Sequence, residues 1–100
     1  MAKYRVAFAD SFLRDLDKLD KSVQKQIIKW IKKHLQDVDF PTSPGKVLTG
    51  QLSGYVRFRV ANYRIISHIN NEEFILTNLH VGHRSDIYKK VKKIKLKRFE

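Results

Sequence analysis

The chain has 100 residues, of which 42% are hydrophobic and 31% charged, so it is long and apolar enough for one globular domain and too apolar for wholesale disorder. It has no cysteine, which excludes a disulfide scaffold and a thiol nucleophile. No apolar run approaches the roughly 20 residues that span a bilayer, so we predict a cytoplasmic protein without a membrane partner. The formal net charge is +11, and residues 45–100 carry +8 of it, so we expect an anionic partner, nucleic acid or an acidic protein, on the second half.

The N-terminal residues predict a strand followed by a helical hairpin. Residues 3–8 alternate in the manner of a half-buried strand, with one side formed by Tyr4, Val6 and Phe8. Helical spacing gives a first helix an apolar inner face, which consists of Phe12, Leu13, Leu16 and Leu19. The outer face of this helix consists of Arg14, Asp15, Asp17 and Lys18. Asp20 can cap a second helix, with a buried stripe formed by Val23, Ile27, Trp30, Ile31, Leu35 and Val38.

Strands dominate the prediction for the second half. Pro41 and Pro44 end the helical pattern, and a loop is predicted from there to about Gly54. Three strand-like runs follow, at residues 55–60, 63–69 and 74–81, and they can form an antiparallel meander. Gly82 is predicted to end the last strand. The apolar spacing of residues 87, 91 and 94 then predicts a terminal helix, with residues 95–100 as a frayed basic tail.

The order of these elements is β-α-α-β-β-β-α, which predicts an α+β fold over a single domain, residues 1–100. It comprises an N-terminal strand, a helical hairpin packed on one face of a small, mostly antiparallel sheet, and a short C-terminal helix. The other face of the sheet is expected to be free for binding.

A basic face is predicted on the central hairpin. If the chain turns at Ala61 and Asn62, Arg59 lies opposite Arg64, and Tyr55 lies opposite His68. Directly opposed like charges destabilise a strand pair. An anion bound between the arginines would remove the penalty; alternatively, these arginines simply cover an exposed sheet with solvated charge.

A second polar cluster occupies residues 82–88, where the last strand gives way to the terminal helix. Gly82 permits a sharp turn, and Ser85 or Asp86 can cap the helix. His83 and Arg84 project from this junction next to the basic face. Tyr88, one turn into the helix, can lie over that face.

The segments GYVRFRVANYRII (residues 54–66) and VGHRSDIY (residues 81–88), in this order after a helical hairpin, resemble the RelE branch of the RelE/ParE toxin superfamily from bacterial and archaeal toxin–antitoxin modules. The resemblance extends from the first strand to Tyr88. It implies a cofactor-free, ribosome-dependent endoribonuclease that cuts mRNA in the ribosomal A site. It also implies three partners, namely the ribosome, mRNA and a cognate acidic antitoxin. The toxin alone is expected to be monomeric, and to form a hetero-oligomer with the antitoxin.

The resemblance also assigns roles to individual residues. Arg57 and Arg59 match the two basic strand positions of the family, and Arg64 matches its phosphate-binding arginine. Arg84 matches the catalytic position of the terminal motif, and Tyr88 matches the aromatic residue that orients the substrate base. Guanidinium groups suit bidentate phosphate contacts, and an aromatic ring suits an unstacked base.

The proton carriers are left open by the sequence. The best-known family member has lysines at the positions of Arg57 and Arg59, and arginine does not titrate near neutrality. Lys46 is a candidate base if neighbouring cations lower its pKa. His83 is a candidate proton donor, or alternatively a strand-end histidine bonded to a backbone carbonyl.

The remaining histidines are interpreted as structural, or as too few for a metal site. His34 and His68 belong to the first group, whereas His80 and His83 lack a third ligand at suitable spacing. The candidate RNA-binding residues are Arg57, Arg59, Lys89, Lys90, Lys92 and Lys93. The lysine run also fits a solvated helix face.

Two other functions fit the sequence. A ParE-like gyrase inhibitor would share the fold but needs no catalytic cluster, and the grouping of arginines with Tyr88 argues against it. A non-catalytic RNA- or DNA-binding module would use the basic sheet for phosphate contact alone.

Overall fold

The computed structural model describes residues 3–87 and 89–90 of the chain. Its elements in chain order are β1 (Arg5–Phe8), α1 (Asp10–Asp17), α2 (Lys21–His34), β2 (Lys46–Val47), a 3-10 turn (Gly50–Leu52), β3 (Tyr55–Val60), β4 (Tyr63–Asn70) and β5 (Ile75–His83). Residues 87, 89 and 90 are helical and are referred to below as the terminal helix. The predictions for Tyr88 and for residues 91–100 lie outside the described residues.

The five strands form one sheet in the order β1-β5-β4-β3-β2. β1 pairs with β5 in parallel, and the other neighbours are antiparallel. The predicted register of the central hairpin is confirmed, because Arg59 lies opposite Arg64 and Tyr55 opposite His68. The α+β prediction, a helical hairpin on a small and mostly antiparallel sheet, is therefore confirmed.

The hydrophobic core lies between the helical hairpin and one face of the sheet. Because side chains alternate along a strand, every second residue of β3 and β4 points into it. In β5 a bulge opposite Ile66 and Ser67 shifts the alternation by one residue, so that both Leu76 and Val81 point into the core. The buried members of this core are Phe12, Leu16, Ile27, Ile31, Leu35, Val56, Phe58, Val60, Ile65, Leu76 and Val81. Among the described residues, no helix is long and apolar enough to cross a membrane.

The prediction for the first helix is wrong at two positions. Leu13, placed on the inner face, is 45% exposed, whereas Asp15, placed on the outer face, is buried. The reason is the orientation of α1, which packs along β5 so that Phe12, Asp15 and Leu16 face the sheet. Phe8 on the edge strand β1 is also exposed, although its ring contacts Phe12. Asp20 does occupy the N-cap position of α2, but its side chain makes no capping hydrogen bond.

The predicted loop before β3 contains structure that sequence patterns missed. Lys46 and Val47 form the edge strand β2, in which Lys46 lies opposite Arg57. A Cβ atom added to Gly45 would come within 2.7 Å of the Phe58 ring, so only glycine allows β2 to approach β3 this closely. At the other end of the sheet, β5 does not stop at Gly82 but continues to His83.

Candidate functional site

Two rows of residues run across the sheet face that lies opposite the helical hairpin. Directly paired residues of antiparallel strands project to the same face. The first row contains Arg59 and Arg64, followed by Gly82 on β5. The second row, two residues further along the strands, contains Lys46, Arg57, Ile66 and His80. The register therefore brings four of the predicted basic residues onto one surface.

Side chains on this surface, together with two residues that follow β5, line an open cavity of about 370 Å³. It is lined by Arg57, Arg59, Arg64, Arg84 and Ile87, and is called the arginine cleft below. Among the described residues, none that lines the cleft is acidic. Four cations that share one small cavity repel each other, and a bound anion would relieve that repulsion.

Backbone contacts fix the position of Arg84. Its amide donates a hydrogen bond to the carbonyl oxygen of Asn62, at an N–O distance of 2.8 Å. This bond joins the junction after β5 to the turn between β3 and β4, where Ala61 has a positive φ of 53°. Because Asn62 acts through its backbone, no side-chain pattern in the sequence identified it as part of the site.

Two of the other arginines differ in how they are held. Arg64 Nη1 donates to the carbonyl oxygens of Ala61 and Tyr63, each at 2.9 Å, so its guanidinium is held at the hairpin turn. Arg57 Nε is buried, and within the described part of the chain no acceptor reaches it. A buried donor without a partner is rare and costs free energy.

The two candidate proton carriers lie in different places. Lys46 is exposed on β2, opposite Arg57, and projects to the same face as the cleft. His83 lies opposite Tyr63, one residue out of phase with Arg64 and Gly82, so its ring points to the face that carries the helices. Its ring contacts that of Tyr63 edge-on, with centroids 5.7 Å apart. Lys46 therefore lies on the same face as the arginine cleft, whereas His83 does not.

Ser85, one of the two residues predicted to cap the terminal helix, contacts the His83 ring. Ser85 Oγ lies 2.8 Å from His83 Nδ1, and the Ser85 amide donates to the same ring nitrogen at 3.2 Å. A ring nitrogen that accepts from an amide carries no proton, so the Ser85 hydroxyl also donates to it. The backbone-carbonyl interpretation of His83 is replaced by this short loop around its ring.

The other histidines pack against neighbouring side chains. His34 lies against Trp30, with ring centroids 4.8 Å apart, and His68 lies against Tyr55 at 5.2 Å. Within residues 3–87 and 89–90, no group of three or more histidines and carboxylates is arranged to hold a metal ion.

Asp15, which the sequence placed on the outer face of its helix, is the centre of a buried polar network. Its Oδ1 accepts a hydrogen bond from Lys90 Nζ at 2.8 Å. Its Oδ2 lies 2.9 Å from His80 Nδ1 and 3.2 Å from the amide nitrogen of Val81. The partners of Asp15 lie 65 and more residues further along the chain, so no local pattern could identify this network. The sequence showed only a carboxylate next to Leu16 on the first helix.

The lysines proposed to bind RNA do not form one group. Lys89 is exposed, whereas Lys90 is turned inward to Asp15 and also donates to the carbonyl oxygen of Val81 at 3.0 Å. Lys92 and Lys93 lie outside the described residues, as does Tyr88. The sheet face is also not fully free, because Ile87 and Lys90 pack over Gly82, within 3.8 Å of where a Cβ would stand.

Comparison with known proteins agrees with this fold. A family model described as the ParE toxin of the type II toxin–antitoxin system parDE matches residues 6–88. An Escherichia coli protein described as a RelE-like toxin is 33% identical over 89 residues, which cover 86% of this chain and 90% of that protein. Toxin RelG of Mycobacterium tuberculosis is 31% identical, over 87% of this chain and 98% of its own.

A solved structure extends the comparison to three dimensions. The toxin–antitoxin complex RelBE2 of M. tuberculosis contains a chain that matches with a TM-score of 0.72 and 29% identity, covering 86% of this chain and 97% of the other. The fold, together with these relatives, defines a toxin of the type II toxin–antitoxin class. The chain belongs to the RelE/ParE toxin family, within which it is a RelE-like toxin.

Proposed function

We propose that this toxin is a ribosome-dependent endoribonuclease that inhibits translation by metal-independent cleavage of mRNA in the ribosomal A site. The observation that carries the proposal is the arginine cleft, in which four guanidinium groups converge on a cavity of about 370 Å³. Such a cavity can hold one phosphodiester group, and guanidinium groups bind phosphate oxygens in bidentate fashion.

The reaction requires a base for the 2′-hydroxyl, stabilisation of the negative charge that develops on the phosphate, and an acid for the 5′-oxygen. The 2′-oxygen attacks the adjacent phosphorus, so that a P–O2′ bond forms and the P–O5′ bond breaks, which leaves a 2′,3′-cyclic phosphate. The pentacoordinate transition state carries extra negative charge on its non-bridging oxygens. Arg57, Arg64 and Arg84 would stabilise that charge from fixed positions, which is the largest contribution that a preorganised site usually makes.

Proton transfer is the weaker part of this site. Arginine does not lose its proton near neutral pH, so the 2′-hydroxyl needs another base and the 5′-oxygen needs an acid. Lys46 is the closest candidate by position, because it pairs with Arg57 across β2 and β3. A site with strong charge stabilisation and weak proton transfer depends on precise substrate placement, which the ribosome would supply.

We further propose that a cognate acidic antitoxin keeps the toxin inactive in a hetero-oligomer. The M. tuberculosis relative was solved as a toxin–antitoxin complex. The net charge of +11 and the cationic cleft of the present chain favour a partner that carries carboxylates. Such a partner would place its carboxylates near the arginines that otherwise bind phosphate.

Primer extension on a message that is being translated in vitro tests the cleavage proposal. We expect cuts at codon positions in the A site with the wild-type protein. Arg84→Ala is expected to reduce the cleavage rate about 10²- to 10³-fold, as is typical when one preorganised donor is lost from a transition state. Arg14→Ala is the matched control, because it removes an arginine from the exposed face of α1, and it is expected to cleave at the wild-type rate.

Naked RNA of the same sequence provides a second control. We expect the toxin to bind it and to cut it slowly or not at all, because nothing holds the 2′-hydroxyl in line. Rapid cleavage of naked RNA would contradict ribosome dependence, and wild-type cleavage by Arg84→Ala would contradict the assignment of the cleft.

Gyrase inhibition is the second candidate function, because the matching family model is that of the ParE toxin. A supercoiling assay with purified gyrase distinguishes the two candidates. Inhibition of supercoiling without any effect on translated mRNA would favour the ParE-like function and exclude the nuclease.

A further inference from the structure

Asp15 joins three elements that are far apart in the chain. It lies on α1, and its two oxygens accept hydrogen bonds from His80 and Val81 on β5 and from Lys90 on the terminal helix. A carboxylate accepts and cannot donate, so the His80 Nδ1 atom that faces it carries a proton. The side chain of Asp15 is only 10% exposed, and each of its oxygens has at least one donor.

Lys90 is the only described contact of this network that reaches the terminal helix. Its Nζ lies 2.8 Å from Asp15 Oδ1 and 3.0 Å from the carbonyl oxygen of Val81. The lysine thus crosses over Gly82, where a Cβ would approach Nζ to 3.4 Å and Ile87 Cδ1 to 3.8 Å. Both side chains therefore pack directly over β5 at Gly82, at ordinary van der Waals distance from where a Cβ would stand.

The segment between Gly82 and Lys90 carries one wall of the arginine cleft. Arg84 and Ile87 both line the cavity. This segment is attached at its start by the hydrogen bond between Arg84 and the carbonyl oxygen of Asn62, and at its end by the ion pair between Lys90 and Asp15. Asp15 itself does not line the cleft, so its effect on the cleft passes through Lys90.

We propose that Asp15 is a positioning residue of the toxin: by holding Lys90, it fixes the segment that carries Arg84 and Ile87 in the orientation that the cleft requires. The kinetic test of this inference rests on the proposed mRNA cleavage. The inference also means that Lys90 holds the terminal helix to Asp15 and does not contact RNA. Misplacement of a reacting geometry by about 1 Å can reduce a rate by roughly 10²-fold, so a residue outside the cleft can control activity.

Asp15→Asn tests the inference, because it removes the charge and keeps the size of the side chain. The helix is expected to remain docked, since Phe12 and Leu16 stay in the core and Ser11 Oγ still donates to the carbonyl oxygen of Leu79 at 2.6 Å. In single-turnover cleavage of ribosome-bound mRNA, we expect the rate constant to fall about 10- to 100-fold. The toxin concentration that gives half the maximal rate is expected to change less than twofold.

Asp17→Asn is the matched control, because it removes a carboxylate from an exposed position on the same helix. It is expected to leave both kinetic values unchanged. The folded fraction of each variant is measured by urea unfolding at the assay temperature. If Asp15→Asn is fully folded and cleaves at the wild-type rate, the inference is wrong while the cleavage proposal stands.

A double-mutant cycle with Lys90→Met separates positioning from RNA binding. If Asp15 acts through Lys90, each single variant slows cleavage by a similar factor, and the double variant is no slower than either. If Lys90 instead contacts RNA, its loss weakens binding to the ribosome, adds to the effect of Asp15→Asn, and overturns the inference.

A structural readout keeps the inference testable if the wild-type protein does not cleave mRNA at all. In NMR spectra, we expect a nuclear Overhauser effect between the Ile87 δ1 methyl and the Gly82 Hα protons, given the short distance between these residues. Asp15→Asn and Lys90→Met are both expected to weaken it, whereas Asp17→Asn is not. Wild-type intensity in the first two variants would overturn the inference regardless of the toxin's activity.

Discussion

Asp15 is a buried negative charge in a protein whose net charge is +11. Burial raises the pKa of Asp15, but hydrogen bonds from Lys90, His80 and the Val81 amide, together with the charge of Lys90, outweigh burial and hold the pKa below the usual range of an aspartate. The carboxylate is therefore ionised in the folded protein at neutral pH and contributes to stability in that form.

The contribution of Asp15 to stability is expected to depend on pH. Because its pKa is lower in the folded protein than in the unfolded chain, its contribution is complete above the unfolded pKa of about 3.9 and is lost as the pH falls through the folded pKa. Urea unfolding is expected to show wild type about 2–3 kcal/mol more stable than Asp15→Asn at pH 7, as for a charged hydrogen bond.

This difference in the free energy of unfolding is expected to shrink below about pH 4. The side chains that face Asp15 are His80 from β5 and Lys90 from the terminal helix, and both donate hydrogen bonds to its carboxylate. Asp17→Asn serves as the control and is expected to show only a small difference at any pH. A difference for Asp15→Asn that persists unchanged to pH 3 would mean that the ionised carboxylate is not the stabilising form.

At the scale of elements, the edge strand β2 depends on Gly45. A Cβ at this position would lie 2.7 Å from two carbons of the Phe58 ring and 2.8 Å from the carbonyl oxygen of Arg57. These atoms belong to the core and to the backbone of β3, so they cannot move aside easily. Gly45→Ala is expected to lower the free energy of unfolding by about 1–3 kcal/mol, the usual effect of overpacking.

Gly50→Ala is the comparison that separates crowding from backbone strain. Gly50 has a φ of 65°, and a Cβ there would meet nothing within 4 Å. The change is expected to lower the free energy of unfolding by about 1 kcal/mol, through the left-handed backbone alone. If urea unfolding shows the same decrease in the free energy of unfolding for Gly45→Ala and Gly50→Ala, then movement of β2 relieves the crowding against Phe58.

The sequence predicted those elements whose signal is local or repeats along the chain. The alternation of apolar and polar residues predicted β3 and β4, and the turn at Ala61 and Asn62 predicted their register. Counting residues outward from that turn places Arg59 opposite Arg64, as observed. β2 could not be predicted, because two residues carry no periodicity and its pairing depends on the space beside Gly45.

For the candidate site, the sequence likewise predicted the functional side chains but not the long-range contacts that position them. Arg57, Arg59, Arg64 and Arg84 were named from their pattern, and the structure brings them around one cavity. The contacts that hold the cleft together were missed, since a backbone oxygen of Asn62 and a carboxylate on α1 act across long sequence separations. Helical spacing alone assigned Asp15 to solvent, because it cannot show that α1 lies against β5.

At the scale of the whole molecule, the charge is unevenly distributed. Residues 1–44 contribute +3 and residues 45–100 contribute +8 to the formal net charge. The arginine cleft lies in the second part of the chain, and among the described residues its lining contains no acid. A field of this kind attracts polyanions before any specific contact forms, and salt screens it over a Debye length of about 10 Å at 0.1 M.

Association with the proposed acidic antitoxin is therefore expected to be sensitive to salt. In stopped-flow measurements, we expect the association rate constant to fall roughly tenfold between 0.05 and 0.5 M salt, with a smaller change in the dissociation rate. Arg59→Gln is expected to lower the rate and its dependence on salt more than Arg14→Gln, which removes the same charge from the exposed face of α1. Equal effects of the two variants would show that net charge alone, and not the cleft, guides the partner.

The parallel pairing of β1 with β5 affects when the toxin becomes complete during its synthesis. Arg5 lies opposite Ile75, so the first strand has no partner until the last one has emerged from the ribosome that makes it. Arg84 follows β5 directly, and its anchor at Asn62 forms only after the hairpin has closed. A nascent chain therefore cannot assemble the cleft until β5 and the residues up to Arg84 have emerged.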